Sequence, residues 1–299
     1  MNELRRNVVV GMALVVSIAS LSMFSATPKA SAAYMRLDNF ETYLVGDNID
    51  DQAFWSSAAA AGLATIAIDP AGGSNQVLSQ TGSSGGTFYE RENRKVAEGD
   101  TGTLFLRFRY TAAPDNTTSL GLGMVDVSAT APPTLGQLQP AFSILSYDNE
   151  PRNKFNIRIA NQAPPGGIRQ VDFDDLLAPD TWYSLWTVMD NNSDNHQVYI
   201  QGGSITAQTQ LVRSDNGSPD FPFRNSTTND IITFMQYATS KHKGPFMLDD
   251  VYLDSSNDSH LINPIPEPSS ALISCLLIAV IAAGARRRDA RGIRRKPCG

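Results

Sequence analysis

The stretch Leu104-Phe105-Leu106-Arg107-Phe108-Arg109-Tyr110 decides the fold class, because apolar and charged side chains alternate along it. In an extended chain, Leu104, Leu106, Phe108 and Tyr110 fall on one face and the two arginines on the other. Residues 154–159 repeat the pattern. This strict period of two is typical of a strand that is buried on one face of an antiparallel sheet.

Further strands are predicted on both sides of this stretch, at residues 120–127, 141–147, 181–189, 196–201, 230–238 and 246–253. Clusters of Gly, Pro and Asn lie between them, such as Pro164-Pro165-Gly166-Gly167. Many strands separated by such turns, with no long helical period, predict an all-β, two-sheet antiparallel sandwich. We expect one domain over residues 33–262, followed by a proline-rich linker at 263–268.

The N-terminal residues 1–32 read as a signal peptide. Arg5 and Arg6 precede an uncharged apolar run, and the small residues Ala30-Ser31-Ala32 follow it. A basic start, an apolar stretch and an A-x-A-like site predict secretion, with cleavage after Ala32. An uncleaved N-terminal anchor is the alternative, because the apolar run is long for a signal.

The C-terminal end carries a second hydrophobic segment. Residues 269–285 are uncharged and rich in Ala, Leu and Ile, and Arg286, Arg287 and Arg288 follow directly. Seventeen such residues are near the shortest length that spans a bilayer. Because basic residues stay on the cytoplasmic side, we predict a transmembrane segment at 269–285, a cytoplasmic tail at 286–299 and an exported domain.

The predicted exported region is acidic and has no cysteine. Residues 33–266 hold 14 Lys and Arg against 27 Asp and Glu, a net charge of −13. Such a surface repels nucleic acid, so we expect no nucleic-acid partner. The two cysteines, Cys275 and Cys298, lie in the tail. Disulfides and thiolate metal sites are therefore excluded from the domain.

The order Pro266-Glu267-Pro268, hydrophobic segment and arginine cluster resembles the PEP-CTERM sorting signal. The resemblance implies two processing partners, signal peptidase and a membrane-bound exosortase, with cleavage near the Pro-Glu-Pro motif. It further implies delivery to the cell surface or extracellular matrix of a Gram-negative-type bacterium that makes exopolysaccharide. Until then the C-terminal helix would hold the protein in the inner membrane.

The domain resembles concanavalin A-like and laminin-G-like jelly rolls. The likeness rests on Asp38-Asn39-Phe40-Glu41-Thr42-Tyr43 near the predicted mature N-terminus, on Trp182-Tyr183, and on Leu248-Asp249-Asp250-Val251-Tyr252-Leu253 near the end of the domain. It implies two curved antiparallel sheets whose first and last strands lie close together. Non-catalytic binding of exopolysaccharide, or a structural role beside it, is the expected function.

Asp249 is the candidate metal ligand. Asp249, Val251 and Leu253 share one face of the last predicted strand, so if Val251 and Leu253 point inward, Asp249 points inward too. A buried carboxylate then needs a cation, an arginine or hydrogen-bond donors. In laminarinase-like members of the resembled fold, an aspartate on the last strand holds a structural calcium. The resemblance therefore implies calcium at Asp249, with Glu41 as its neighbour, while backbone N–H donors or a basic partner remain the alternative.

Catalytic motifs are sparse in this sequence. The alternating glutamate pattern of retaining glycosidases of this fold is absent, and His196, His242 and His260 do not cluster along the chain. We therefore assign no catalytic residue and keep a secreted glycoside hydrolase or polysaccharide lyase as the alternative. Trp55, Trp182 and Trp186 are the tryptophans that could form a sugar platform, although core packing is expected for at least two of them.

Overall fold

The computed structural model describes residues 34–57, 64–80, 86–90, 94–111, 120–126, 138–146, 155–163, 167–170, 177–213, 216–223, 229–231, 233–238 and 246–265. The predicted signal cleavage site at Ala30 and Ala32, the motif Pro266-Glu267-Pro268, the hydrophobic segment 269–285 and Arg286–Arg288 lie outside these ranges. Residues up to Leu261 form one compact unit, and those from Ile262 belong to a second. In the described part of the chain, no helix is long and apolar enough to cross a membrane.

The described chain is built from antiparallel strands in two sheets, as the alternating patterns predict. The strands are β1 Tyr34–Asp38, β2 Trp55–Ser57, β3 Ala64–Ile68, β4 Gln76–Gln80, β5 Gly86–Glu90, β6 Thr101–Tyr110, β7 Leu120–Val125, β8 Leu138–Ser146, β9 Phe155–Ala163, β10 Gly167–Gln170, β11 Trp182–Asp190, β12 Asn195–Gly202, β13 Ile205–Gln210, β14 Phe221–Pro222, β15 Thr233–Ala238 and β16 Phe246–Asp254. A single turn of 3-10 helix covers Ile49–Asp51.

We call the larger sheet sheet A and the smaller one sheet B. Sheet A has the order β13-β12-β11-β6-β16-β4-β3, with β1 also paired to β16 and β14 to β12. Sheet B has the order β10-β9-β8-β7-β15-β5-β2. The first and last strands are neighbours: Tyr34 lies opposite Asp254, and the Tyr34 hydroxyl donates to the carbonyl of His260 at 2.5 Å.

Strand β6 has the predicted amphipathic arrangement. Leu104, Leu106, Phe108 and Tyr110 belong to the hydrophobic core between the sheets. Arg107 therefore lies on the opposite surface, which we call the outer face of sheet A. Adjacent strands β11 and β16 pair with β6 along its length, so the residues of all three strands fall into cross-strand rows.

A β-bulge divides β16 and corrects the predicted direction of Asp249. Asp249 lies opposite Arg107, but Tyr252 lies opposite Phe105, so β16 has one residue more than β6 in this interval. Leu248 and Val251 consequently both face the core, although they are three residues apart. Asp249 is buried, yet on the outer face with Arg107 and not on the inner face with Val251. The predicted direction depends on regular alternation along β16, and the bulge breaks that alternation.

The N-terminal motif folds around the carboxylate of Asp38. Its Oδ1 accepts the backbone N–H of Phe40 at 2.8 Å, and Phe40 adopts φ 58°. Its Oδ2 accepts the Tyr43 hydroxyl at 2.6 Å and the Trp55 indole N–H at 2.7 Å. The buried carboxylate thus fixes the turn after β1 and anchors Trp55 in the core.

The acidic sequence at 190–194 forms the turn of the β11–β12 hairpin. The Asp190 carboxylate accepts the backbone N–H groups of Asn192 and Ser193 and the Ser193 hydroxyl. Asp194 closes the turn with φ 53°. These carboxylate bonds within the turn account for the run of oxygen-bearing side chains without an ion.

Candidate functional site

Charged and polar side chains converge on the outer face of sheet A, where β11, β6 and β16 lie side by side. We call this set the Arg107 cluster. Its members are Asp69, Asn75, Arg107, Arg109, Asp180, Trp182, Asp249 and Asp250. Strand pairing places four members. Trp182 lies beside Arg109 in one cross-strand row, and Asp249 lies beside Arg107 in the next row but one. The turn between β3 and β4 supplies Asp69 and Asn75.

One half of the cluster is the acidic pair of the β16 bulge. Arg107 Nη1 lies 3.1 Å from Asp250 Oδ2 and 3.8 Å from Asp249 Oδ2. Asn75 donates its amide to Asp249 Oδ2 at 3.0 Å, and the Asp250 backbone N–H donates to Asp249 Oδ1 at 2.8 Å. Asp250 adopts φ 51°, a left-handed conformation that is uncommon for a residue with a side chain. The bulge therefore holds two carboxylates against one guanidinium.

The other half is centred on Arg109, which is 6% exposed. Its Nη1 donates to Asp69 Oδ1 at 3.0 Å and its Nη2 to Asp180 Oδ1 at 3.1 Å. The second oxygen of Asp69 accepts the Trp182 indole N–H at 2.9 Å. Asp69 is thus bonded to both a guanidinium and an indole, which fixes the orientation of both groups.

Trp182 joins the two halves. The Arg107 guanidinium carbon lies 4.9 Å from the centre of the Trp182 ring, a cation–π contact. Behind the tryptophan, Gly202 has φ 146°, and a Cβ there would lie 2.4 Å from the Trp182 carbonyl oxygen. Only glycine allows β12 to approach so closely, so the backbone of Trp182 is fixed as well as its ring.

The electrostatics of the cluster favour a protonated carboxyl at the bulge. Burial, together with the charge of the neighbouring Asp250, raises the pKa of Asp249 to about 7, although Asn75 and Arg107 oppose the shift. Burial also raises the pKa of Asp250, against the lowering effect of Arg107, and Glu41 adds to the rise. The acidic pair therefore carries less negative charge near neutral pH than two exposed aspartates would.

Both predicted calcium ligands lie at this end of sheet A. Glu41 Oε1 accepts the backbone N–H of Gln76 at 2.9 Å, and the preceding residue, Asn75, bonds Asp249. The carboxylate of Asp249 already accepts hydrogen bonds and lies near the Arg107 guanidinium. This arrangement is the alternative to calcium that the sequence left open. Within the described ranges, no three His, Cys, Asp or Glu side chains converge to hold a metal ion. Asp249 and its neighbours as they stand do not fit calcium, and calcium at Asp249 and Glu41 stays a prediction.

The three tryptophans differ in exposure. Trp55 and Trp186 are buried, as expected for at least two of them, whereas Trp182 is partly exposed. Sequence reasoning missed Arg107, Arg109 and Asp69 as site residues. The signal present in the sequence was a pair of arginines on one face of a strand, which require acidic partners when that face is covered.

No protein-family model matches this chain, and no curated protein matches it. The chain is similar in structure to the catalytic domain of a glycoside hydrolase family 131 protein from Coprinopsis cinerea, with 12% identity and TM-score 0.47, over 77% of this chain and 96% of that one. It is also similar to lectin II from Ulex europaeus, with 9% identity and TM-score 0.45, over 75% of this chain and 98% of the lectin. The Ca2+-bound VIP36 exoplasmic/lumenal domain has 10% identity and TM-score 0.44, over 77% of this chain and 95% of that domain. At TM-scores below 0.5, these proteins assign no ligand or activity to this chain.

Proposed function

We propose that this chain is an exported cell-surface or matrix protein whose β-sandwich binds polysaccharide without catalysing its cleavage. One observation supports binding above the others. Trp182 is the tryptophan that keeps partial exposure, and it is held between Asp69 and Arg107 in a rigid polar cluster. Export and sorting through the C-terminal tail rest on the sequence.

A fixed aromatic ring among fixed polar groups suits a sugar ligand. A sugar ring has apolar C–H faces that pack on an indole and hydroxyl groups that bond carboxylates, amides and guanidinium groups. Because the cluster bonds already orient Trp182, Arg109 and Asp69, little side-chain entropy is lost when a ligand binds. The exposed carboxylate of Asp180 lies at the edge of the same cluster.

The alternative function is a secreted glycoside hydrolase or polysaccharide lyase of concanavalin A-like fold. One observation favours it: Asp249 has a raised pKa beside a second carboxylate, as a general acid requires. Two observations oppose it. Asp249 is 1% exposed, and both its carboxylate oxygens accept hydrogen bonds. A binding module accounts for the cluster better.

The test is binding of the full-length chain in detergent to the exopolysaccharide of the producing bacterium, with calcium and with a chelator. We expect saturable binding that Trp182→Ala weakens about tenfold or more, as removal of a central aromatic contact does. Phe54→Ala is the matched control, because Phe54 is also partly exposed under a guanidinium, that of Arg94 at 5.4 Å, and lies outside the cluster.

Three outcomes would change the proposal. Equal binding by wild type and Trp182→Ala would remove the tryptophan as the platform. Release of reducing or unsaturated sugar ends from the polymer would replace the binding module by the enzyme. Binding that the chelator abolishes would add a divalent cation to the proposal, and loss of that cation dependence in Glu41→Gln would place it beside Glu41.

Sorting has its own test. The intact mass of the surface-located protein is expected to end near Pro266-Glu267-Pro268 and to begin at residue 33. A mass that includes Arg286–Arg288 would contradict processing of the tail, and one that includes residues 1–32 would favour the uncleaved N-terminal anchor.

A further inference from the structure

A second polar surface lies on the outer face of sheet A, on β12 and β13 beside the Arg107 cluster. Val198 and Ile200 of β12 belong to the core, so the residues between and beside them face outward. We call five of the outward residues of β12 and β13 the glutamine–tyrosine ladder; they are Gln197, Tyr199, Gln201, Gln208 and Gln210. All five are partly exposed.

Hydrogen bonds fix the centre of the ladder. The Gln210 amide donates to Gln197 Oε1 at 3.1 Å and to the Tyr199 hydroxyl at 2.8 Å. The Tyr199 hydroxyl donates to Gln197 Oε1 at 2.9 Å, and the Gln197 amide donates to Asp220 Oδ1 at 2.7 Å. Three side chains on two strands are therefore held in one orientation before any ligand arrives.

These bonds leave capacity for a ligand. A primary amide offers two N–H donors and an oxygen that accepts two bonds, and a tyrosine offers an aromatic face besides its hydroxyl. The Gln197 and Gln210 amides each use only part of this capacity in the ladder. Oriented amides beside an aromatic ring match a ligand that presents adjacent hydroxyl groups and apolar C–H faces.

The charge of the ladder narrows the ligand class. None of its five side chains is ionisable near neutral pH, whereas residues 33–266 carry a net charge of −13. Edge strands such as β13 commonly carry charged residues that prevent pairing with other chains. A neutral, hydrogen-bonding edge instead fits an uncharged polyhydroxyl chain, with Asp220 at the border of the surface.

We propose that the glutamine–tyrosine ladder is a second polysaccharide-binding surface, selective for uncharged glycan. This proposal takes its class of polymer, polysaccharide, from the proposed function, but it does not require that Trp182 binds the polymer. Tyr199 lies in the row of Trp186, four residues from Trp182 along β11, so the Tyr199 and Trp182 rows are about 13 Å apart along the strands. At its near end the ladder reaches the row of the Arg107 cluster, because Gln201 and Arg107 both pair with Ser184. Both surfaces lie on one face of sheet A.

The experiment measures binding of the full-length chain in detergent to a neutral glucan, laminarin, and to an anionic polymer, alginate. The ladder is tested by the double variant Gln197→Ala with Gln210→Ala, and by Tyr199→Phe, which removes a single hydroxyl and preserves the ring. Gln52→Ala is the control, because Gln52 is a partly exposed glutamine outside the ladder. Thermal unfolding confirms that each variant is folded.

We expect laminarin to bind more tightly than alginate, and the double variant to weaken laminarin binding about tenfold, with a smaller loss in Tyr199→Phe. Loss in the ladder variants but not in Trp182→Ala would support the ladder and remove Trp182 as a platform. Loss only in Trp182→Ala would overturn the ladder. Loss in none of them would overturn both surfaces. A change in oligomeric state instead of glycan binding would show that β13 pairs with a second copy, and would overturn the ladder as well.

Discussion

Asp249 and Arg107 face each other across β16 and β6, and the aspartate is 1% exposed while the arginine side chain is 27% exposed. Arg107 also contacts Asp250 at 3.1 Å, so a single guanidinium faces two carboxylates at the bulge. The stability of this end of sheet A therefore depends on the ionisation of the pair.

Asp249 should make the protein less stable as the pH rises. Its pKa in the folded protein is raised to about 7, above the unfolded value near 4, so its contribution is fully present below pH 4 and is lost as pH rises to 7. Asp249→Asn stays neutral and should remove up to about 1.4 kcal/mol per pH unit of this dependence. Urea unfolding at several pH values measures it. An unchanged pH profile in the variant would contradict the assignment.

Arg107→Met should destabilise the fold, because it leaves the two bulge carboxylates without their cation. We expect a loss of about 2 kcal/mol at pH 8, below the range for fully buried pairs because Arg107 is partly exposed. The loss should be smaller at pH 5, where Asp249 can hold a proton. Lys95→Met is the control, since Lys95 forms an exposed pair with Asp230 at 2.7 Å, and its loss should be below about 1 kcal/mol.

His196 should produce the opposite pH dependence. Its ring centre lies 5.8 Å from that of Phe221 and 5.9 Å from that of Phe223, and burial lowers its pKa to about 3. The unfolded chain binds a proton near pH 6.5, so stability is fully present above that pH and falls as pH decreases toward 3. His196→Phe should flatten the profile between pH 4 and 6.5. Comparing the slopes, and not the absolute stabilities, separates this effect from any change in packing.

Asp38→Ala should cost about 3 kcal/mol or more of folding free energy. The change removes the acceptor of two buried donors, the Trp55 indole N–H and the Phe40 backbone N–H, and of the partly buried Tyr43 hydroxyl. Each buried donor left unsatisfied costs about 1–3 kcal/mol. Urea unfolding followed by tryptophan fluorescence measures the loss. Asp47→Ala, at a carboxylate bonded to Leu44 and Gln52 on the surface of the same turn, should cost under about 1 kcal/mol.

Gly202→Ala should affect both stability and binding. Its Cβ would lie 2.4 Å from the Trp182 carbonyl oxygen, so either β12 or β11 must move. We expect a loss above about 2 kcal/mol and weaker polysaccharide binding through a displaced Trp182. Gly73→Ala, with φ 90° and nothing within 4 Å of its Cβ, carries only the backbone strain of about 1–2 kcal/mol. Similar losses in both variants would show that the contact with Trp182 contributes nothing.

Much of the strand pattern could be predicted from the sequence, because side chains that alternate at period two report directly which face is buried. The predictions at 104–110, 181–189, 196–201 and 246–253 correspond to β6, β11, β12 and β16. Alternation indicates where a strand lies and which of its faces is buried, but not which strands pair with it. The partners of Arg109, namely Asp69 and Asp180, come from turns distant in sequence and depend on the pairing register.

The face of Asp249 could not be predicted for a different reason. A bulge adds one residue, and the pattern on either side of it still looks regular. In the sequence, two aspartates separate Leu248 from Val251. Either the alternation is regular, and Asp249 shares the face of Val251, or it breaks at the aspartates, and Leu248 and Val251 share a face. Only the pairing of Tyr252 with Phe105 decides between the two.

The pairing of β1 with β16 also determines how the domain responds to force. Tyr34 at the start of β1 lies opposite Asp254 at the end of β16, so the chain enters and leaves the domain at the same end of this strand pair. Tension applied between the two ends would separate the pair like a zipper, one hydrogen-bonded position at a time from Tyr34 onward. It would not slide the strands past each other, which requires many bonds to break together. A domain held by both ends would therefore yield at low force, starting at the bond between Tyr34 and His260.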